Sequence, residues 1–177
     1  AGLAASFSET GLKTTRLPSS VTVIGIDDTD SRTLGMCTTY LGATLADRID
    51  AAGGSVERVL LVRLNPAVEH KTRGNAAVTV HCDLDPDSAV EIVEDILDRA
   101  ATDDDETNPG AVVADCEPEA VPDAVAQFAV DAVQVHHDIE TAERLIEEAG
   151  YRSATRGLGR GQIGSLAAVG AWAAFEE

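Results

Sequence analysis

Lysine is almost missing from this 177-residue sequence: Lys13 and Lys71 stand alone, and every other basic side chain except the histidines is an arginine. Aromatic residues make up only 3% of a chain that is 44% hydrophobic and rich in alanine and valine. A core short of rings must be built from small aliphatic side chains packed between a sheet and helices, which favours an α/β fold. The same shortage argues against a surface of stacked aromatics for capturing single-stranded nucleic acid. Cys37, Cys82 and Cys116 are odd in number and far apart, with no C-x-x-C pair, so they suggest neither a disulfide framework nor a zinc site and read as reduced, intracellular thiols. No apolar run reaches the roughly 20 residues of a membrane helix, because Gly164 and Gly170 interrupt the alanine-rich end. The opening AGLAASFSETGLKTTRLPSS has no charged segment followed by an apolar one, so it is not a secretory signal. It reads as a flexible tail over residues 1–20, ahead of one domain over residues 21–177, in a cytoplasmic protein.

Acidity is what the sequence has in excess. A net charge of −18 destabilises a compact chain by self-repulsion unless salt screens it. Together with the missing lysines, this points to a salt-loaded cytoplasm of a halophile; an ordinary acidic protein with an acidic loop is the plainer alternative.

The β-branched run Val21, Val23, Ile24 and Ile26 predicts a central strand ending in carboxylates. Helical spacing from Met36 to Ala51 stops at Gly53-Gly54. VERVLLVRLN and NAAVTVHCDL predict two strands, joined by a basic segment that contains Pro66 and Gly74. Pro86 opens a helix running to about Arg99, ATDDDETNPG reads as a solvated loop without chemistry, and AVVAD is a short strand. VPDAVAQFAVDAV and DIETAERLIEEAG are helices, the second with Asp138 as N-cap and Gly150 as terminator. A glycine-rich loop then leads into a last helix. The expected architecture is a mixed β-sheet covered by helices.

Four constellations carry candidate chemistry. Asp27, Asp28 and Asp30 follow the apolar strand directly, where they form either a Mg²⁺ site or an acidic turn. Gly35-Met36-Cys37-Thr38-Thr39 places hydroxyls and backbone amides at a helix start, where they either hold a phosphate or simply cap the helix. His70-Lys71-Thr72-Arg73-Gly74-Asn75 brings an ammonium and a guanidinium together, suited to phosphate oxygens or to pairing with surface acids. Arg156-Gly157-Leu158-Gly159-Arg160-Gly161-Gln162-Ile163-Gly164 is a Gly/Arg segment immediately before a helix whose amides can cradle phosphate, although no Walker motif is present. His136-His137-Asp138 looks like a metal cluster, but neighbouring side chains point apart, which favours a helix-start role.

The segments IGIDDTDS, GMCTTY, LVRLNP, KTRGNAAV, NPG and GRGQIGSLAAVG, in this order, resemble the N-terminal part of archaeal tRNA-isoleucine agmatidine synthetases, over roughly Val21 to Gly170. The resemblance implies a divergent kinase-like domain using ATP and Mg²⁺. The family phosphorylates the wobble cytidine of an isoleucine tRNA and replaces the activated oxygen with agmatine. By the same resemblance, the catalytic residues are Asp27, Asp28, Asp30, Thr38 and Lys71, with Thr38 a phosphate acceptor and Asp27 and Asp28 the Mg²⁺ ligands. Thr39, Arg73, Asn75, Gly157, Gly159, Arg160 and Gly161 are then the nucleotide-binding residues. Nothing in the chain resembles the family's ferredoxin-like, OB-type and zinc-ribbon domains, so the expected partners, tRNA and agmatine, are engaged through the full-length enzyme. Two other classes remain open here: a non-catalytic nucleic-acid-binding or regulatory domain, and a small-molecule kinase.

Overall fold

A computed structural model describes residues 21–31, 35–69, 74–100 and 106–175. Five strands form one sheet: β1 (Thr22–Asp27), β2 (Val56–Arg63), β3 (Ala76–Cys82), β4 (Gly110–Asp115) and β5 (Arg152–Thr155). Their order is β2-β3-β1-β4-β5, with β1 in the centre as expected. The α/β organisation is as the sequence implies, but every ladder is antiparallel rather than mixed. The helices are α1 (Thr38–Ala51), α2 (Pro86–Ala100), α3 (Asp123–Ala132), α4 (Ile139–Glu148) and α5 (Gly161–Phe175).

Strand alternation divides the core into two halves. Ile24 and Ile26 of β1 meet Leu41, Leu45 and Ile49 of α1 and Val93 and Ile96 of α2. Val23 faces the other way, into a cluster with Leu166 and Val169 of α5 and Val125 and Phe128 of α3. Helix α5 is apolar almost all round because it is covered on nearly every side, lying between the sheet and α3. Glycines make that burial possible. A Cβ at Gly25 would sit 2.0 Å from the Ser165 carbonyl oxygen, and one at Gly170 would sit 2.5 Å from the Val125 carbonyl oxygen.

Helix ends follow local chemistry. Asp138 caps α4 by accepting the Thr141 N–H at 2.7 Å, which gives the His136-His137-Asp138 segment the predicted helix-start role. Asp85 accepts the Ser88 N–H at 3.0 Å at the start of α2. Strand β5 is a difference from the sequence reading: RSAT is only four residues long, and Ala154 alone among them is buried, so no alternation marks it.

His81 is fully buried on β3, edge-on to Trp172 with ring centroids 5.8 Å apart, and neither ring nitrogen has a hydrogen-bond partner among the described residues. Burial, aided by the nearby Arg58 charge, holds its pKa below the usual histidine value. The unfolded chain therefore binds the extra proton first as pH falls. His81's contribution to stability is complete above about pH 6.5 and is lost progressively below it, down to the depressed folded-state pKa. In molar KCl, urea midpoints are expected to fall between pH 7 and 5.5, and His81→Leu should flatten that slope by up to ~1.4 kcal/mol per pH unit. An unchanged slope in the variant contradicts the assignment.

Candidate active site

One end of the sheet gathers most of the segments that the sequence singles out. Strand β1 finishes there in Asp27, paired with Gly110 at the start of β4. Arg63 at the end of β2 pairs with Ala76 at the start of β3, and Thr155 at the end of β5 pairs with Gly110. The starts of α1 and α5 reach the same end, and a cleft with a total empty volume of about 780 Å³, open mouth included, lies among them.

The odd-numbered positions of β1 face α5, so the Asp27 carboxyl points at that helix and touches Gly164. A Cβ at Gly164 would lie 1.8 Å from Asp27 Oδ2. Loss of water pushes the Asp27 carboxyl well above the usual carboxylate range; the Asp28 backbone N–H opposes this, and the Asp28 and Asp30 charges add to it. Asp28 adopts a left-handed φ of 53°, the one such non-glycine among the described residues. Strain of this kind persists where surrounding contacts hold it. Here Asp28 Oδ2 accepts the Asn108 N–H at 3.1 Å and lies 3.9 Å from Arg160 Nε.

Asp30 reaches the start of α1. Its Oδ1 accepts both the backbone N–H of Thr38 and the Thr38 hydroxyl, the latter at 2.8 Å, while Thr29 Oγ1 donates to Thr38 Oγ1 at 3.0 Å. The anion at this helix start is thus a carboxylate of the chain itself, and Cys37 takes the N-cap position without a side-chain bond. Thr38 is buried at the cleft wall, with its hydroxyl oriented by a carboxylate able to take its proton.

Asp27, Asp28, Asp30, Thr38, Asn75 and Arg160 all line the cleft. Thr39 is exposed outside its lining, with Oγ1 3.2 Å from Cys37 Sγ. Gly157, Gly159 and Gly161 also lie outside the lining; their loop is a support. Asn108 Oδ1 accepts the Leu158 N–H at 2.7 Å and Asn108 O accepts the Gly161 N–H at 3.0 Å, so those amides are already used. Gly157 and Gly159 take φ of 62° and 78°, and a Cβ at Gly157 would sit 2.4 Å from Asn108 Oδ1. Lys71 and Arg73, like the tail over 1–20, lie outside the described residues; Val68 and Gly74 on either side of the basic segment line the cleft.

Two contributors went unassigned in the sequence, and a third was singled out only as part of the Gly/Arg segment. Asn108 ties β1's exit to the Gly/Arg loop, yet it sits beside an acid run that reads as solvent-facing. Thr107 Oγ1 donates to Asp30 O at 2.8 Å. Gly164 makes room for Asp27; as a glycine four residues into a buried helix, it was the available signal.

Among the described residues, no group of three or more His, Cys, Asp or Glu side chains is placed to hold a metal alone. Mg²⁺ needs no such group, since it commonly takes one or two carboxylates together with substrate phosphates, and Asp27 and Asp28 fit that donor set.

A three-layer α/β domain thus brings a desolvated carboxyl, Asp27, and an oriented hydroxyl, Thr38, to one cleft at the end of its sheet, as a ligand-handling domain would. Residues 23–84 match the TiaS TCKD domain model. The chain is 57% identical over 159 residues to the tRNA 2-agmatinylcytidine synthetase TiaS of Haloquadratum walsbyi, covering 89% of this chain and 34% of that protein. It is 40% identical to TiaS of Pyrococcus horikoshii, covering 83% and 35%. The crystal structure of a complex of TiaS with an isoleucine tRNA and ATP superposes with a TM-score of 0.79 at 41% identity, over 86% of this chain and 36% of that one. A complex of TiaS with the same tRNA, AMPCPP and agmatine gives 0.77 at 37% identity, over 86% and 36%. The chain belongs to the TiaS family, and it spans about a third of the length of the curated relatives it matches.

Proposed function

We propose that this cleft is the ATP-cleaving centre of a tRNA-modifying enzyme that replaces a group on the wobble cytidine of isoleucine tRNA with agmatine. The observation that carries the reading is Thr38, whose hydroxyl and amide both converge on Asp30 beside the desolvated Asp27. In the proposed step, Thr38 Oγ1 forms a bond to a phosphorus of ATP as the bond from that phosphorus to its bridging oxygen breaks. The proton passes to Asp30 Oδ1 and the leaving phosphate keeps the electron pair. Mg²⁺, held by Asp27, Asp28 and phosphate oxygens, would supply charge neutralisation. Arg160 lines the same cleft, and Lys71 and Arg73 follow the family's basic segment; all three are assigned here to phosphate oxygens. Asn108 and the glycines at 157, 159 and 161 hold this arrangement in place.

The solved TiaS complexes with isoleucine tRNA, ATP and agmatine support the substrate assignment. The phosphorylation of the cytidine itself is inferred from the kinase-like chemistry of the cleft. A domain of net charge −18 repels an RNA backbone, so tRNA capture is assigned to further domains like those of the longer relatives. The same charge, together with the likeness to a Haloquadratum protein, supports a salt-rich cytoplasm.

The test is label transfer from γ- and β-labelled ATP in molar KCl with Mg²⁺. Wild type is expected to acquire covalent phosphate on Thr38, and Thr38→Ala to acquire none, with ATP cleavage slowed by ~10²-fold or more. Full labelling of the variant removes Thr38 from the acceptor role.

A further inference from the structure

The sheet has two edges, and they differ. That of β5 is four residues long, and its Arg152 is held by Asp87 at 2.8 Å. Strand β2 is eight residues long, and among the described residues no strand pairs with its outer side. An edge of that length presents a row of backbone N–H and C=O groups to any chain that can pair with it. A bulge between Val56 and Arg58 interrupts its start, but from Arg58 to Arg63 the register with β3 is unbroken.

The side chains of β2 are apolar on both faces. Val59 and Leu61 stand opposite Val80 and Val78, on the face that α1 and α2 cover, and are 45% and 48% exposed. On the other face Leu60 and Val62 line an open groove with Val133, Trp172 and Phe175, and Phe175 is 54% exposed. Apolar side chains exposed on both faces of one long edge mark a surface that another chain covers.

Charge selects that chain. The protein carries −18 overall, which repels a second copy over most of its surface. Strand β2 is the exception: it holds Arg58, Arg63 and a single acid, Glu57. Glu57, exposed and bonded to Arg58 of its own strand, lies at one end, and Arg63 lies at the other. Two such strands laid antiparallel about Leu60 set Leu60 against Leu60 and Val59 against Leu61, and bring Glu57 of each copy to Arg63 of the other. Unlike charges opposed across strands are favourable and like charges are not. A parallel arrangement would instead set Arg63 beside Arg63 and Glu57 beside Glu57.

We infer that the outer edge of β2 is a self-association surface, on which a second copy of the chain adds its own β2 antiparallel about Leu60. The contact is a closed two-fold one, in which both copies use the same surface. It joins the two sheets into one and places the two clefts, each beside the Arg63 end of its β2, at opposite ends of the joined sheet. Salt is required, because the acids outside β2 repel until they are screened. The inference is independent of the chemistry assigned to the cleft.

The experiment is sedimentation equilibrium of the 177-residue chain over about 1–100 μM in molar KCl. Wild type is expected at twice the mass of one chain at the upper concentrations. Val59→Lys and Glu57→Arg both alter exposed positions and spare the core. Each is expected to weaken the dimer about tenfold or more, the first by setting a charge against Leu61 and the second by opposing Arg63 with a like charge. Adding Arg63→Glu to Glu57→Arg should recover most of the loss, which a change in fold would not. The inference is overturned by a wild type that keeps the mass of one chain throughout, which would leave the edge to a different occupant such as the further domains of the longer relatives. It is equally overturned by a dimer that both single variants leave at wild-type strength, or by a double variant no tighter than Glu57→Arg alone.

Discussion

Replacing Gly164 by alanine is expected to disable the cleft while leaving the fold standing. Helix propensity alone favours the change by about 1 kcal/mol. Geometry opposes it: the new Cβ would lie 1.8 Å from Asp27 Oδ2, 2.4 Å from Asp27 Cγ and 2.9 Å from Asp27 Cβ. Asp27 sits on the central strand, paired on one side with Gly110, so its backbone has little freedom to retreat. The carboxyl must swing out of position or α5 must lift from the sheet. Overpacking of this kind usually destabilises by about 1–3 kcal/mol. Displacing a reacting-site carboxylate by about an ångström slows chemistry on the order of 10²-fold. ATP cleavage should therefore fall by about that factor, with the thermal midpoint reduced by several degrees. Adding Asp27→Ala to Gly164→Ala should restore the midpoint without restoring activity. A Gly164→Ala protein as active as wild type would show that Asp27 has no part in the chemistry.

That dependence of Asp27 on a helical glycine illustrates what the sequence does and does not disclose. The strand-then-carboxylates pattern of Ile26, Asp27, Asp28 and Asp30 is local, and the structure sets those three acids at the exit of β1, where they line the cleft. Capping is local too, as Asp138 and Gly150 show at the two ends of α4. Contacts between distant segments leave no such trace. The Asn108 carboxamide meets the Gly/Arg loop 50 residues away, so two amides of a loop that reads as a phosphate cradle, those of Leu158 and Gly161, are spent on Asn108. Asp30 is 8 residues from Thr38, and only the folded turn shows that it takes over the anion's place at the start of α1. Strand β5 escapes notice because it pairs with β4 through backbone alone, on side chains that are mostly exposed.

Salt should govern stability more strongly than any single substitution. The chain carries 31 acidic residues against 13 lysines and arginines. Several of the arginines are already paired on the surface: Arg48 with Asp95 at 2.5 Å, Arg152 with Asp87 at 2.8 Å and Arg144 with Glu148 at 3.0 Å. The remaining excess of acids repels. Two like charges about 20 Å apart in water repel by ~0.2 kcal/mol, and the many pairs available to 18 excess charges sum to more than a typical domain's stability of about 5–15 kcal/mol. Salt shortens the reach of that repulsion from ~30 Å at 0.01 M to ~3 Å at 1 M. Thermal melts should therefore rise by roughly 15 °C or more between 0.1 M and 2 M KCl, with loss of the cooperative transition at the low end. A midpoint that moves by less than about 3 °C contradicts a salt-dependent fold.

The central claim is that the carboxylate-lined cleft binds ATP through Mg²⁺. Calorimetric titration of ATP in several molar KCl, with and without Mg²⁺, tests it most directly on wild type and Asp28→Asn, a substitution that keeps the shape of the side chain at the strained exit of β1. The account predicts binding that requires Mg²⁺ and weakens by at least ~10-fold in the variant. Equal binding with and without Mg²⁺, or an Asp28→Asn protein indistinguishable from wild type, would contradict it.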